Sequence, residues 1–330
     1  MKKRVGLIGL GSQATSDYIP GLAFATDAEL VAVCDINEQQ VADWSRKLGV
    51  TGYGDYRRLL ERESLDFVIA VAPHDVYKGI IECAAGAGVH VLKEKPFARN
   101  LQEAVYFKEL CDTGNINLMT TLQRRFNPIY ELFSRLVLEI GELEFVEAKY
   151  AMFLDNPLLG WRGDKCRSGG GTLIDMGYHM VDVLIWYFGL PNRILADFKA
   201  SSAPEITSTV LFGYEQGLQG VLILSRNYPP KTEYVKVVGS KGIVELGRNY
   251  IKRMRNSGET IETVTRELSW SMTAAKQIDY FCKVLDGKRD NFGSPANHLQ
   301  HARFIDACYL SQKSKHYVDP NQLEELCLPG

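Results

Sequence analysis

The 330-residue chain lacks most of the features that commit a sequence to a specialised class. It has no excess of charge of either sign: 38 Lys and Arg stand against 40 Asp and Glu, a formal net charge of −2. Broad electrostatic attraction to nucleic acid or to an anionic membrane is therefore not expected. No apolar run reaches the length needed to span a bilayer. The seven cysteines, an odd number, include no Cys-x-x-Cys pair. Cys34, Cys83, Cys111, Cys282 and Cys308 fall inside apolar strand or helix patterns. Reduced, mostly buried thiols are expected from them, with no disulfide framework, no zinc site and no other metal. Cys166 is read as a plain loop thiol. There is no internal repeat and no low-complexity segment. Met1-Lys2-Lys3-Arg4 followed by Val5 to Leu10 has only a superficial likeness to a signal peptide, because the apolar part is too short. A cytoplasmic protein is expected.

What is present is an ordinary globular composition, 45% hydrophobic and 24% charged, and enough length for two domains. The chain is organised around Val5-Gly6-Leu7-Ile8-Gly9-Leu10-Gly11-Ser12-Gln13-Ala14. Val5 to Ile8 suits a strand buried on both faces. It runs into Gly9-x-Gly11-x-x-Ala14. The first glycine permits a tight turn, the second lets the backbone approach a pyrophosphate, and Ala14 is small enough for a helix to pack on the strand. A second apolar run, Leu30 to Cys34, ends in Asp35, where a ribose hydroxyl would be held. Dinucleotide binding follows. Ile36-Asn37-Glu38 places no Arg or Lys beside Asp35 to accept a 2′-phosphate, so NAD is expected, with NADP as the alternative.

The first third alternates the two periodicities. Strands are predicted at 4–8, 30–34, 67–72, 90–92 and 118–121, and helices at 16–25, 38–48, 56–62, 76–87 and 101–113. Such alternation gives a parallel sheet with helices on both faces and ligands beyond the carboxyl ends of its strands. Pro73 and His74 should line that crevice, with His74 read as a solvated loop histidine. After residue 122 the pattern changes. A helix is predicted at 129–138, then strands at 145–153, 194–199, 207–214, 220–224, 235–239, 242–246 and 250–255, with hairpin turns at Glu215-Gln216-Gly217 and Gly239-Ser240-Lys241-Gly242. This reads as a mostly antiparallel sheet with one solvated or partner-covered face. Two helices close the chain, at 272–285 and 295–311. The expected division is a nucleotide-binding Rossmann domain at 1–122 and a substrate-binding and oligomerisation α+β domain at 123–330, whose final helices can pack back on the first domain.

Two further stretches carry candidate chemistry. Val89-His90-Val91-Leu92-Lys93-Glu94-Lys95-Pro96 is a buried strand ending in three charged residues and a proline. Residue pattern alone leaves Lys95 divided between a solvated Glu–Lys pair and a residue facing the crevice. The other stretch is Ser168-Gly169-Gly170-Gly171, followed by a predicted single helix from Thr172 to Phe188. Asp175 and His179 lie four positions apart and share a face of it; Asp182 continues that stripe. Buried Asp and His need partners. The glycines would permit close ligand approach, and the helix N–H groups could stabilise developing negative charge.

Taken together, Gly9-x-Gly11-x-x-Ala14, Asp35, Glu94-Lys95-Pro96 and Gly169-Gly170-Gly171-x-Leu173-x-Asp175-x-Gly177-x-His179-x-x-Asp182 resemble the glucose–fructose oxidoreductase and inositol dehydrogenase (Gfo/Idh/MocA) family in order and spacing. The resemblance implies a Rossmann domain followed by a large, mostly antiparallel open sheet whose outer face makes a homodimer or homotetramer. It implies NAD(P)-dependent oxidation or reduction of a carbohydrate-like hydroxyl or ketone. Lys95, Asp175 and His179 fall on the catalytic positions. Gly9, Gly11, Ser12, Gln13, Ala14, Asp35, Pro73, His74, Glu94 and Lys95 fall on cofactor-binding ones. Arg124, Trp161 and Arg162 join the three catalytic residues as substrate-binding candidates. Tyr77 departs from the histidine that many members carry there. Two other activities belong to relatives of this kind: NAD-dependent glycoside cleavage with transient oxidation, and sensing of NAD or sugar without turnover.

Overall fold

In the computed structural model, which describes residues 1–199 and 202–323, two sheets divide the chain. Residues 324–330 of the expected second domain lie outside the described ones. The first sheet is parallel and contains β1 (Lys3–Ile8), β2 (Ala28–Cys34), β3 (Thr51–Tyr53), β4 (Phe67–Ala70), β5 (His90–Lys93) and β6 (Leu118–Thr120), in the order β3-β2-β1-β4-β5-β6. Its strands read as apolar runs because helices cover both faces: Val5, Leu7 and all four residues of β4 are buried. Each of these side chains larger than alanine contributes roughly 1.5–3 kcal/mol on burial. The strand order reverses between β1 and β4, and a crevice opens there beyond the carboxyl ends.

Local signals set the helix boundaries. Asn37 caps helix Glu38–Leu48 by accepting from the Gln40 N–H, and Gly49 ends it with φ of 68°. Asn100 caps Leu101–Thr113 in the same way. These are the polar N-cap and left-handed glycine C-cap that helix ends favour. The helix predicted at 16–25 differs. It begins earlier, as a π-helical turn over Ala14–Tyr18, and continues as an α-helix over Ile19–Phe24. Strand β3 has too few residues for its periodicity to register.

The second sheet contains β7 (Leu143–Phe153), β8 (Arg193–Asp197), β9 (Thr207–Gly213), β10 (Gln219–Ser225), β11 (Asn227–Gly239), β12 (Gly242–Gly247), β13 (Tyr250–Met254) and β14 (Thr260–Thr265). Its order is β14-β13-β12-β11-β7-β10-β9-β8, antiparallel except where β10 pairs with β7. Val235, Val237, Leu222 and Leu224 point into the core, while their neighbours along β10 and β11 are partly exposed on the other face. Strand β14 alternates no apolar residues and was not legible as a strand; it is held by its pairing with β13.

The last two helices link the halves. Helix Trp270–Leu285 packs on Ile19–Phe24, where Gly21 lets the two approach closely: a Cβ there would lie 2.8 Å from the Ala274 Cβ. Helix Pro295–Ser314 packs between Leu101–Thr113 and β8. Among the described residues, no helix is long and apolar enough to cross a membrane.

Candidate active site

The turn after β1 has the shape of a phosphate cradle. Gly9 adopts φ of 94°, and a Cβ on it would fall 2.0 Å from the Val71 carbonyl oxygen. Around the Cβ position of Gly11 no atom lies within 4 Å, so its backbone borders open space. Ser12 is exposed and Gln13 is partly exposed beside it, whereas Ala14 is buried under the strand. Asp35 is tied into the same turn: its carboxylate accepts from the Leu10 N–H at 2.7 Å and from the Asn37 N–H at 2.9 Å. Glycines at these positions and a carboxylate at the end of β2 fit a dinucleotide.

Glu94 and Lys95 follow β5 and diverge. Glu94 is buried and accepts from the Tyr18 hydroxyl and from Gln123 Nε2. Lys95 reaches across to the other half, where its Nζ donates to Asp175 Oδ1 at 2.7 Å and to the Asp175 carbonyl at 3.1 Å. Lys93 supports this turn from below. It is wholly buried, its Nζ donates to the carbonyls of Glu94, Pro96 and Phe97, and it lies 3.8 Å from the centre of the Tyr77 ring. Burial pushes its ammonium down to about 7. Tyr77, the departure from the family pattern, is thus turned inward onto a lysine.

His74 is not the solvated loop histidine that its position suggests. It is buried, with Nδ1 2.7 Å from the Ser168 carbonyl and its ring centre 4.4 Å from that of Trp161. A histidine beside a proline at a strand exit carries no sequence signal for this. The cover comes from residues about ninety positions later. Burial lowers its pKa to about 3, so it is neutral.

The predicted helix from Thr172 to Phe188 is broken. Thr172–Asp175 is one short helix and Tyr178–Phe188 another. The Gly177 N–H skips back to the Thr172 carbonyl at 2.7 Å, and a Cβ on Gly177 would lie 2.4 Å from both the Leu173 carbonyl oxygen and a Leu224 methyl group. Asp182 does not continue the Asp175–His179 stripe. It faces inward, bonded to Arg125 at 2.7 Å and to His301 at 3.0 Å. The three glycines before this segment also serve another purpose than ligand approach. Cβ atoms on Gly170 and Gly171 would fall 1.9 Å from the Tyr309 hydroxyl and the Glu205 carbonyl oxygen respectively. The helix-start N–H groups are already used, with those of Gly171 and Leu173 bonded to the Glu205 carboxylate and that of Thr172 to its carbonyl. These three N–H groups are therefore not available to an anion.

What remains is a cleft of about 400 Å³ between the halves, whose lining includes Lys95, Tyr150, Arg162, Asp175, His179 and Arg226. Asp175 is its hub. One carboxylate oxygen takes Lys95, and the other takes Arg162 Nε at 3.0 Å and Arg226 Nη2. Burial by itself would raise its pKa. Lys95 and Arg226, with His74 and Arg162 behind them, outweigh that and hold it well below the carboxylate range. His179 faces the same cleft, and burial, then the Arg124 and Lys95 cations, push its imidazole well below its ordinary value. It is a neutral ring beside a lysine donor. Such a pair can remove a proton from a hydroxyl and stabilise the resulting oxygen charge.

The other substrate-binding candidates separate. Arg162 is in the cleft, its guanidinium 4.4 Å from the centre of the Trp161 ring. Arg124 is committed to Glu233, with Nε 3.0 Å from Oε1. Arg226, at the end of β10, was missed. A lone arginine after an alternating strand has no distinguishing pattern. Only the fold, which sets the residue after β10 against the helix Thr172–Asp175, brings it to Asp175.

A Rossmann sheet with this cradle, facing an open antiparallel sheet across a Lys–Asp–His cleft, defines an NAD-binding oxidoreductase. Residues 3–121 match the oxidoreductase family with an NAD-binding Rossmann fold, and residues 138–245 match the GFO/IDH/MocA C-terminal domain. The chain belongs to the Gfo/Idh/MocA family and is an NAD(P)-dependent dehydrogenase or reductase acting on CH–OH groups. It is 27% identical over 325 residues to D-xylose 1-dehydrogenase (NADP(+)) 2 of Haloferax volcanii, covering 94% of this chain and 97% of that one. It is 27% identical over 251 residues to myo-inositol 2-dehydrogenase of Thermotoga maritima, covering 72% and 73%. Among solved structures, levoglucosan dehydrogenase in complex with NADH and levoglucosan superposes with a TM-score of 0.86 at 20% identity, covering 98% of this chain and all of that one.

Proposed function

We propose that the chain transfers hydride between nicotinamide and a carbohydrate-like hydroxyl or ketone, with residues 1–122 holding the nucleotide and residues 123–330 the substrate. The observation that carries this reading is the common cleft of Lys95, Asp175 and His179. Gly9, Gly11, Ser12, Gln13 and Ala14 hold the pyrophosphate, Asp35 the ribose, and Pro73, His74, Glu94 and Lys95 the wall beside the nicotinamide. NAD is preferred over NADP because a carboxylate at Asp35 repels a 2′-phosphate. When bound, the nicotinamide supplies the hydride acceptor or donor. His179 accepts the hydroxyl proton in oxidation and returns it in ketone reduction. Lys95 donates a hydrogen bond to the reacting oxygen and stabilises its charge, and its cation favours the neutral form of His179. Asp175 orients Lys95 and binds a substrate hydroxyl. The test is a panel of polyols, sugars and keto-sugars screened with NAD and NADP at the NADH absorbance. Turnover that changes this absorbance with at least one sugar is expected. Sugar cleavage without net absorbance change would replace the dehydrogenase by a glycoside-cleaving enzyme, and binding without turnover would replace it by a sensor.

The outer face of the second sheet supports self-association. Phe145 on β7 and Leu211 on β9 are exposed there, to 37% and 43%. A second copy covering this face is the reading we adopt. Light scattering behind a sizing column should give a dimer or tetramer mass, and a monomer would remove it.

A further inference from the structure

The cleft carries more positive charge than its carboxylates balance. Asp175 alone receives Lys95, Arg162 and Arg226. Behind the cleft residue Tyr150, its cross-strand neighbour Glu233 receives both Arg124 and Arg248. One cation suffices to keep a buried carboxylate ionised, and the cations beyond the first have no fixed counter-charge. Arg162 differs from the rest. Only its Nε is bonded to Asp175, its side chain is 45% exposed, and its guanidinium lies on the Trp161 ring. Neither of its terminal nitrogens has a hydrogen-bond partner among the described residues. A flat guanidinium braced on an aromatic face, with its N–H edge open to a cleft, is a fork for two oxygens of one anion.

We propose that the substrate is an acidic sugar derivative, bearing a carboxylate or a phosphate that Arg162 binds through this free edge. The proposal rests on the dehydrogenase reading only in placing the reacting hydroxyl at Lys95 and His179. A neutral sugar would leave the excess charge uncompensated, whereas an anion balances it and brings its own oxygens to the unused N–H groups.

The test uses matched hexoses, hexuronates and hexose 6-phosphates of gluco, galacto and manno configuration. Calorimetry measures their binding to the protein saturated with NADH, and turnover is followed with NAD. At least one acid or phosphate should bind about tenfold or more tightly than its neutral match, as charge-assisted hydrogen bonds require. Arg162→Ala should abolish that ratio, and Arg162→Lys, which keeps the charge and loses the fork, should restore only part of it. The uronate and phosphate arms distinguish the two anions. Equal binding of neutral and acidic sugars, no binding of any acid or phosphate, or a ratio intact in Arg162→Ala overturns the proposal. So does a variant whose only defect is in NADH binding, because the anion is then the cofactor's own. Acids that bind through Arg162 but never turn over leave this inference standing and remove the dehydrogenase reading. Neutral sugars that turn over as well as their acids do the reverse.

Discussion

Asp175 and Asp182 sit seven positions apart, are both buried, and are both paired with arginine, yet they belong to different parts of the molecule. Asp175 opens onto a cleft and shares its carboxylate among three cations that differ in exposure and origin. Asp182 is sealed between Arg125 and His301, and Arg125 is packed against the Trp186 and Phe292 rings. In the second cluster Arg125 gives two hydrogen bonds to Asp182 and borders a separate pocket of about 590 Å³. In the first, Lys95 and Arg162 keep bonding capacity toward open space. The contrast shows that burial and an ion pair do not identify a catalytic carboxylate. What separates the two is that the Asp175 cleft also holds Lys95 and His179, a hydrogen-bond donor and a proton acceptor, whereas the pocket that Arg125 borders includes neither residue.

The sharpest way to break this contrast is to remove the cleft-facing groups. Lys95→Ala and His179→Ala should each lower kcat by roughly 10²–10⁴, the range for loss of a proton-transfer or oxygen-stabilising group. NAD affinity, read by fluorescence titration, should change little. Asp175 keeps Arg226 and Arg162 when Lys95 is lost, so the melting temperature of that variant should stay near the parent's. Unchanged turnover in either variant removes that residue from the mechanism.

The sealed cluster should respond in the opposite currency. Asp182→Ala leaves the partly buried Arg125 without its counter-charge, which costs about 3 kcal/mol of stability, the low end for a broken buried pair. Urea unfolding should show that loss. Activity per folded molecule, measured at low temperature, should fall far less than in the Lys95 variant. A variant that is stable but inactive would place Asp182 with the catalytic groups after all.

Gly177 lies at the break between the two aspartates, so altering it tests the comparison from a third side. Without the break, Asp175, His179 and Asp182 would share one helical stripe. A methyl group on Gly177 meets the Leu173 carbonyl and Leu224. Gly177→Ala should therefore destabilise by about 1–3 kcal/mol through overpacking. It should also lower kcat by roughly tenfold, because small displacements of positioned groups are costly to turnover. A fully active, fully stable Gly177→Ala protein would mean that the break does not set the position of His179.

This break also marks where sequence reasoning stops. The Gly9 turn, Asp35 and the alternating strands were legible because each is a local pattern with a local cause: a positive φ, a strand end, a periodicity. Asp175 and His179 could be singled out by spacing and Lys95 by the family resemblance, and the fold brings the three to one cleft. The rest depends on contacts between distant segments. Arg226 reaches Asp175 from a strand that follows it by about fifty residues, and the glycines before Thr172 are shaped by Glu205 and Tyr309, not by a ligand. Lys93 looks like one more charge at a strand end, and only the turn it supports explains its burial. An interrupted helix, likewise, reads as a continuous one when the interruption is a single glycine inside an apolar pattern.

The smallest expected effect concerns pH, and it separates the two regions without any mutation. For alcohol oxidation His179 must be neutral to accept a proton. Burial, with Arg124 and Lys95 behind it, lowers its pKa well below 6.5. Protonation then begins only below that value, so kcat/KM should change by less than about twofold between pH 7 and pH 8, and its acid limb should have a midpoint below 6.5. Asp182 also has a depressed pKa, from Arg125 and His301 acting against its burial. A depressed carboxylate stabilises the fold at all pH values above the ordinary 3.8 and loses that contribution as the pH falls through its own lower pKa. A rate profile and an unfolding profile followed to acid pH therefore read the two groups separately. A rate profile with a midpoint at or above 6.5 would assign the proton to a group other than a partly buried, cation-flanked His179.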